Sequence, residues 1–162
     1  MNKLSKFEID PIIMRWIASF LSERRQRVKI GNVLSSWSTL VGGMPQGTWL
    51  GIYFFLVYIN DLQSDANLVK FVDDITVIEE IEKSGSGHMQ SIVDQIVKWS
   101  NSNLMKFNIK KTKDMIIDFS HNKLSPVLID VHGQLIQRVS SFKLLGVRVM
   151  DNLCWDDHLI FA

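Results

Sequence analysis

Two short β-rich runs, Leu68 to Val72 and Ile75 to Ile78, stand on either side of an adjacent pair of aspartates, Asp73 and Asp74. A chain with so little room between two strands must double back, so the segment reads as a hairpin with two carboxylates at its tip. Adjacent carboxylates repel, and the repulsion costs free energy unless something cationic sits beside them. A divalent cation with a preference for hard oxygen ligands is the natural partner. Asp is also common in turns, so by itself the pair fits an ordinary solvated turn more readily than a site.

The rest of the chain divides into helical and β-like stretches. Ile12, Ile13, Trp16, Ile17, Phe20 and Leu21 recur at helical spacing. Pro11 suits the first turn of that helix, Asp10 suits its N-cap, and the helix should end near Ser22. Gln26, Val28 and Ile30 then alternate with Arg25, Arg27 and Lys29, the period of a half-buried strand. Gly31-Asn32 can turn it into a second strand from Val33 to Val41. Residues 42–47 are a loop by composition. Thr48 can cap a helix from Trp49 to about Leu62, apolar nearly all round and so expected to be buried. Ser84 to Gly87 reads as a flexible joint. Met89, Ile92, Val93, Ile96 and Val97 fit an amphipathic helix. Met115 to Phe119, Val127 to Val131, Leu135 to Val139 and Phe142 to Val149 read as strands, with His132-Gly133 as a turn. The class is α+β, a mainly antiparallel sheet with helices packed on one face.

At 162 residues, 46% of them hydrophobic, the chain has room for one domain with a real core. The net charge of +1 announces no polyanion binder, but the charge is segregated. Residues 1–30 hold seven cations against three acids, residues 60–82 seven acids against one lysine, and residues 98–113 five lysines and no acid. An acidic centre between basic stretches suits a site that holds cations next to a polyanion, although solvated faces explain charge alone as well. One cysteine, Cys154, excludes a disulfide framework and a zinc knuckle. The longest apolar run, Trp49 to Ile59, is too short to span a bilayer, and the N-terminus has no apolar signal core. A soluble, intracellular protein is expected. The four histidines show no zinc-ligand spacing, and no phosphate-binding glycine loop or Ser-His-Asp arrangement is evident. Asp156 and Asp157 fit the first turn of a helix, where the dipole favours them.

Further motifs surround the aspartate pair. Met44-Pro45-Gln46-Gly47-Thr48 and Tyr58-Ile59-Asn60-Asp61-Leu62 precede it, and Asn108-Ile109-Lys110-Lys111-Thr112 and Phe142-Lys143-Leu144-Leu145-Gly146 follow it. Trp16 to Arg24 and Trp155-Asp156-Asp157-His158 complete the series. In this order the motifs resemble the reverse transcriptases of non-LTR retrotransposons, essentially from end to end.

The resemblance implies an RNA-directed DNA polymerase acting on an RNA template, a DNA primer and deoxynucleoside triphosphates. Asp73 and Asp74 would bind Mg²⁺ in a two-metal site that activates the primer 3′-hydroxyl and neutralises the triphosphate and the leaving pyrophosphate. Pro45, Gln46 and Gly47 would shape a loop against nucleotide and template, Pro by fixing φ and Gly by letting a backbone come close. Lys111 matches a lysine proposed to protonate the departing pyrophosphate, and a solvated surface lysine is its plain alternative. Phe142, Leu145 and Gly146 match a turn that grips the primer, with strand core as the alternative for Phe142. Val72, Trp49 and Ile52 depart from the residues common in relatives. Val72 reads as tolerated, while Trp49 and Ile52 put packing under the site in doubt. Independently of the family, Arg25, Arg27 and Lys29 recur every second residue, about 6.5–7 Å apart on a strand. That spacing suits tracking a nucleic-acid backbone, or guarding a strand edge.

A two-metal polymerase needs a further aspartate, which the family places upstream of the Pro-Gln-Gly loop. Asp10 stands directly before a helix and in the wrong place for it. Residues 1–162 are therefore expected to be a partial reverse transcriptase domain, a palm without fingers, first catalytic motif or thumb. The missing carboxylate predicts an inactive chain when alone. Three readings stay open: a piece of a longer active enzyme, a decayed remnant, and a reused RNA-binding module without catalysis.

Overall fold

The computed structural model describes residues 2–45, 47–64, 66–82, 85, 87–121, 123 and 126–161, with the backbone alone at 157 and 161. The joint expected at residues 84–87 falls partly outside them. The chain divides into two compact units, Met1–Asp61 with Phe71–Asp74, and Leu62–Lys70 with Ile75–Ala162.

In the first unit, helix α1 spans Pro11–Leu21. The Asp10 carboxylate accepts from the Ile12 N–H at 2.6 Å and Pro11 occupies the first turn, so the cap expected of Asp10 is present. The β region that follows is a hairpin in two parts. Strands β2 (Lys29–Ile30) and β3 (Val33–Leu34) pair around Gly31-Asn32, and β1 (Arg25–Gln26) pairs with β4 (Ser38–Thr39). Helix α2 spans Trp49–Ile59, capped by the Thr48 hydroxyl, which accepts from the Gly51 N–H at 3.1 Å.

Burial in this unit corrects two expectations. The hairpin is exposed on both faces, and α2 buries Gly51, Phe54 and Ile59 but leaves Trp49 80% exposed and Ile52 and Tyr53 also exposed. Helix α1 buries none of its residues completely, and its Phe20 ring lies 6.4 Å from that of Phe54. Apolar periodicity states which side of an element seeks cover. It does not state that the same unit supplies it.

The second unit includes most of the hairpin β5 (Asn67–Phe71) and β6 (Asp74–Ile78), whose four tip residues group with the first unit. Its centre is helix α3, Met89–Ser102, which buries Ile92, Val93, Ile96 and Val97, the stripe its spacing foretold. Val93 and Val97 pack with Ile129, Val131 and Ile136, and Phe107 and Ile109 close over the cluster. Strands β8 (Asp130–Val131) and β9 (Gln134–Leu135) pair antiparallel around His132-Gly133. Both turn residues have positive φ, +54° and +78°, as a type I′ turn demands. The Gln90 side-chain amide bonds both backbone groups of Asp130, at 2.9 and 2.8 Å, and ties β8 to α3.

Here too the structure differs from expectation. No strand forms over residues 115–119. Instead β7 (Lys113–Asp114) pairs in parallel with β10 (Gln137–Arg138), fastened by a 2.7 Å ion pair between Asp114 and Arg138. Strands β11 (Ser141–Leu144) and β12 (Val147–Met150) form a further hairpin, and a short helix α4 (Asp156–Phe161) opens on the two acids expected in a first turn. Among the described residues the strands form six two-stranded ladders rather than one sheet, so the single layer with helices on one face is not seen. The architecture is mixed helix and small, mostly antiparallel ladders. No helix among the described residues is long and apolar enough to cross a membrane.

Candidate functional site

Asp73 is the second residue of the β5–β6 loop, and Asp74 opens β6; both are exposed. Val72, the first loop residue, has φ +53°. The β2–β3 loop makes the same demand, positive φ at its first residue only, and meets it with Gly31. For a β-branched residue the left-handed region is a true outlier, costing on the order of 1–3 kcal/mol. Val72 is therefore strained, where its small apolar character alone had suggested mere tolerance. Val72→Gly should relieve that strain against roughly 0.5–1 kcal/mol for glycine's extra unfolded freedom, a net gain of about 1 kcal/mol. Slower amide exchange in β5 and β6 is the expected readout; unchanged or faster exchange would show an unstrained tip.

The pair supplies hard oxygen donors to a cation, but only two residues of them. Among the described residues no group of three or more histidines, cysteines or acids is placed to hold a metal. Two carboxylates alone leave most of a hard cation's coordination to other groups.

The loop ahead of α2 is pinned at both ends within the first unit. The Arg24 guanidinium donates to the carbonyls of Gly42 and Gly43, and the Leu40 N–H donates to the Arg24 carbonyl at 2.8 Å. At the far end, Gly51 lets the Pro45 carbonyl lie against the first turn of α2. A Cβ built there would stand 2.1 Å from the Pro45 oxygen and 3.3 Å from its carbonyl carbon. Gly47 has φ +75°, which glycine adopts freely. Gln46 lies outside the described residues. Gly51→Ala must push the loop off the helix, at about 1–3 kcal/mol by the usual cost of overpacking. A lowered denaturation midpoint with a new cleavage site at residues 42–47 in limited proteolysis is expected. An unchanged cleavage pattern would mean the loop is not set by that approach. Sequence reasoning missed Gly51 and Arg24; a glycine one turn into an otherwise large-residue helix was the available signal.

Tyr58, in the last turn of α2, and Asp61, just beyond it, face the Lys3 ammonium. It donates to the Tyr58 carbonyl and to Asp61, each at 2.6 Å, and lies 4.5 Å from the Tyr58 ring centre. Burial, and then the charge of Asp61, hold the Tyr58 phenol above its ordinary range.

Arg25, Arg27 and Lys29 are all exposed on the first hairpin, in a segment from residue 24 to 44 that contains no acid. Arg25 lies in β1 and Lys29 in β2, with Arg27 between them in neither, so the single strand that the alternation predicted is interrupted. Arg27 is not simply solvated, since its guanidinium lies 4.5 Å from the Trp37 ring centre.

The remaining candidates belong to the second unit. The Asn108-to-Thr112 motif is a self-contained turn. The Lys111 N–H donates to the Asn108 carbonyl at 3.1 Å and to its side-chain oxygen at 3.2 Å, and the Thr112 hydroxyl donates to the same carbonyl at 2.9 Å. Asn suits that position because its side chain can mimic a backbone acceptor. Lys111 is exposed, and among the described residues no carboxylate pairs with its ammonium. Phe142 is half-buried on β11 opposite Val149. Leu145 and Gly146 form the β11–β12 turn, with φ +48° and +91°, and Leu145 is exposed.

The family described as reverse transcriptase (RNA-dependent DNA polymerase) matches residues 1–149. The RNA-directed DNA polymerase from mobile element jockey of Drosophila melanogaster is 23% identical over 155 residues, 88% of this chain and 17% of that protein. The probable RNA-directed DNA polymerase from transposon BS of the same organism is 26% identical over 157 residues, with the same coverage. That from transposon X-element is 22% identical over 152 residues, 88% of this chain and 16% of that protein. The chain thus spans about a sixth of the curated relatives it matches. No solved structure matches it. With the family matched over residues 1–149, nearly all its length, the chain belongs to the reverse transcriptase family.

Proposed function

We propose that this chain works as palm segment of an RNA-directed DNA polymerase, extending a DNA primer on an RNA template from deoxynucleoside triphosphates inside the cell. The observation that carries this reading is the β5–β6 tip, where a strained Val72 precedes two exposed carboxylates in a chain of this family. Asp73 and Asp74 would hold Mg²⁺, which supplies charge neutralisation at the transferring phosphoryl group. Since they are two donors where a two-metal centre needs a further carboxylate, no catalytic step is assigned to the chain by itself. Pro45, Gln46 and Gly47 serve the nucleotide and template, Lys111 serves as general acid, and Phe142, Leu145 and Gly146 serve as primer grip.

A second reading, an RNA-binding segment without catalysis, is favoured by the incomplete carboxylate set beside an acid-free cationic hairpin. One experiment separates them. Residues 1–149 replace the matching segment of the jockey polymerase, and Mg²⁺-dependent primer extension on RNA is measured beside binding. Extension that needs Asp73 and Asp74 supports the polymerase; a folded chimera that binds primer–template without extending it supports the second reading.

A further inference from the structure

The register of the first hairpin changes along its length. Lys29 faces Leu34 and Ile30 faces Val33, but Arg25 faces Thr39 and Gln26 faces Ser38. Between these pairs the returning strand holds one residue more than its partner, which makes a β-bulge. Ser35 marks where it begins. Its N–H donates to the Val28 carbonyl at 3.0 Å, and its hydroxyl, in place of a carbonyl, accepts from the Val28 N–H at 2.9 Å.

The extra residue decides where Trp37 goes. Directly paired residues share a face, so Leu34 lies on the face of Lys29 and Thr39 on that of Arg25. In an unbroken ladder Trp37 would pair with Gln26 and point to the other side. The bulge brings it round beside Arg27, at the 4.5 Å stacking distance, and it remains 57% exposed. A tryptophan this exposed gains little from burial. A bulge that re-aims it onto a row of three cations gives it another use.

We propose that Trp37 is a base-stacking platform for an unpaired strand of nucleic acid, with Arg25, Arg27 and Lys29 holding the phosphates on either side of the stacked base. This deepens the nucleic-acid reading of the hairpin and rests on it. The partner is single-stranded RNA, because only an unpaired base can leave its neighbours to stack on a side chain. Arg27 fixes the ring by its cation–π contact and keeps donors for the adjoining phosphate.

The test uses the whole chain and fluorescent single-stranded RNA, with duplex RNA and an abasic strand as comparisons, across a salt series. Trp37→Ala should weaken single-strand binding roughly 5- to 100-fold, as loss of one stacked base does. The salt slope should stay the same, since stacking releases no counterions, whereas Arg25→Ala and Lys29→Ala should each lower it by about 0.7. Trp37→Phe keeps a ring and should restore most of the affinity, which guards against a merely misfolded alanine variant. Duplex and abasic RNA should be insensitive to position 37. Equal affinity of the parent and Trp37→Ala for single-stranded RNA would overturn the proposal, as would an equal loss on the abasic strand. Binding is measured without Mg²⁺ on the chain itself and extension in the chimera, so failure of extension and failure of stacking are read separately.

Discussion

In the jockey chimera, Asp73→Asn or Asp74→Asn is expected to reduce Mg²⁺-dependent extension at least about 100-fold while leaving RNA binding in place. Bound metal is worth several kcal/mol of charge stabilisation at a transferring phosphoryl group, and each ~1.4 kcal/mol is a factor of ten in rate. Asparagine keeps the shape of the tip and removes one negative charge, so the loss is electrostatic rather than structural. The two substitutions should not add, because either one leaves the centre short of a donor. Titration with Mg²⁺ gives a second readout, since a weakened site should recover part of its rate at high metal. Extension that persists in the double variant would falsify the assignment of these carboxylates. The isolated chain should not extend a primer at any Mg²⁺ concentration.

Ile136→Ala should destabilise the second unit by about 2–5 kcal/mol, the range for deleting three carbons from a closed core. Ile136 is 2% exposed and lies in one cluster with Val93, Val97, Ile129 and Val131. Its backbone N–H also donates to the Ile129 carbonyl at 2.8 Å, so the ladder holds the site open and limits collapse around the cavity. A loss of that size is a large fraction of the stability of any small unit. Denaturant unfolding followed through Trp99, on α3, should show an earlier midpoint. A shift under about 0.5 kcal/mol, the usual bound for surface changes, would mean the cluster is not a core.

What could be read in the sequence was what local chemistry decides. Asp10 and Thr48 as caps, the glycine turns at Gly31 and Gly133, the α3 stripe and the Asp73-Asp74 hairpin each depend on residues within one turn or one loop. Partners far along the chain were not readable. Residues 115–119 have strand composition, yet it is Lys113–Asp114 that pairs, with Gln137–Arg138, through an ion pair across 24 residues of sequence. The exposure of α2 escaped for the same reason, because hydrophobicity is local and cover is not. Motif order gave the family, since order over the whole chain carries more information than any one residue type. The pinning of the Pro45 loop by Gly51 and Arg24 is a matter of close approach in space, invisible to spacing. The bulge did leave a trace: Leu34 and Trp37 are three residues apart, an interval that cannot share one face of a regular strand.

That interval bears on how relatives at 22–26% identity are to be aligned with this chain. A slide of one position in an alignment through residues 27–37 inverts which side of the ribbon a column occupies. A relative with an aromatic residue one place nearer the turn and no bulge presents it as this chain presents Trp37. A relative with tryptophan in the same column and an unbroken ladder shows it to the opposite side. In this hairpin the face a residue takes is a parity, the count of residues from the turn taken together with the register, and it can be kept while the aligned residue changes.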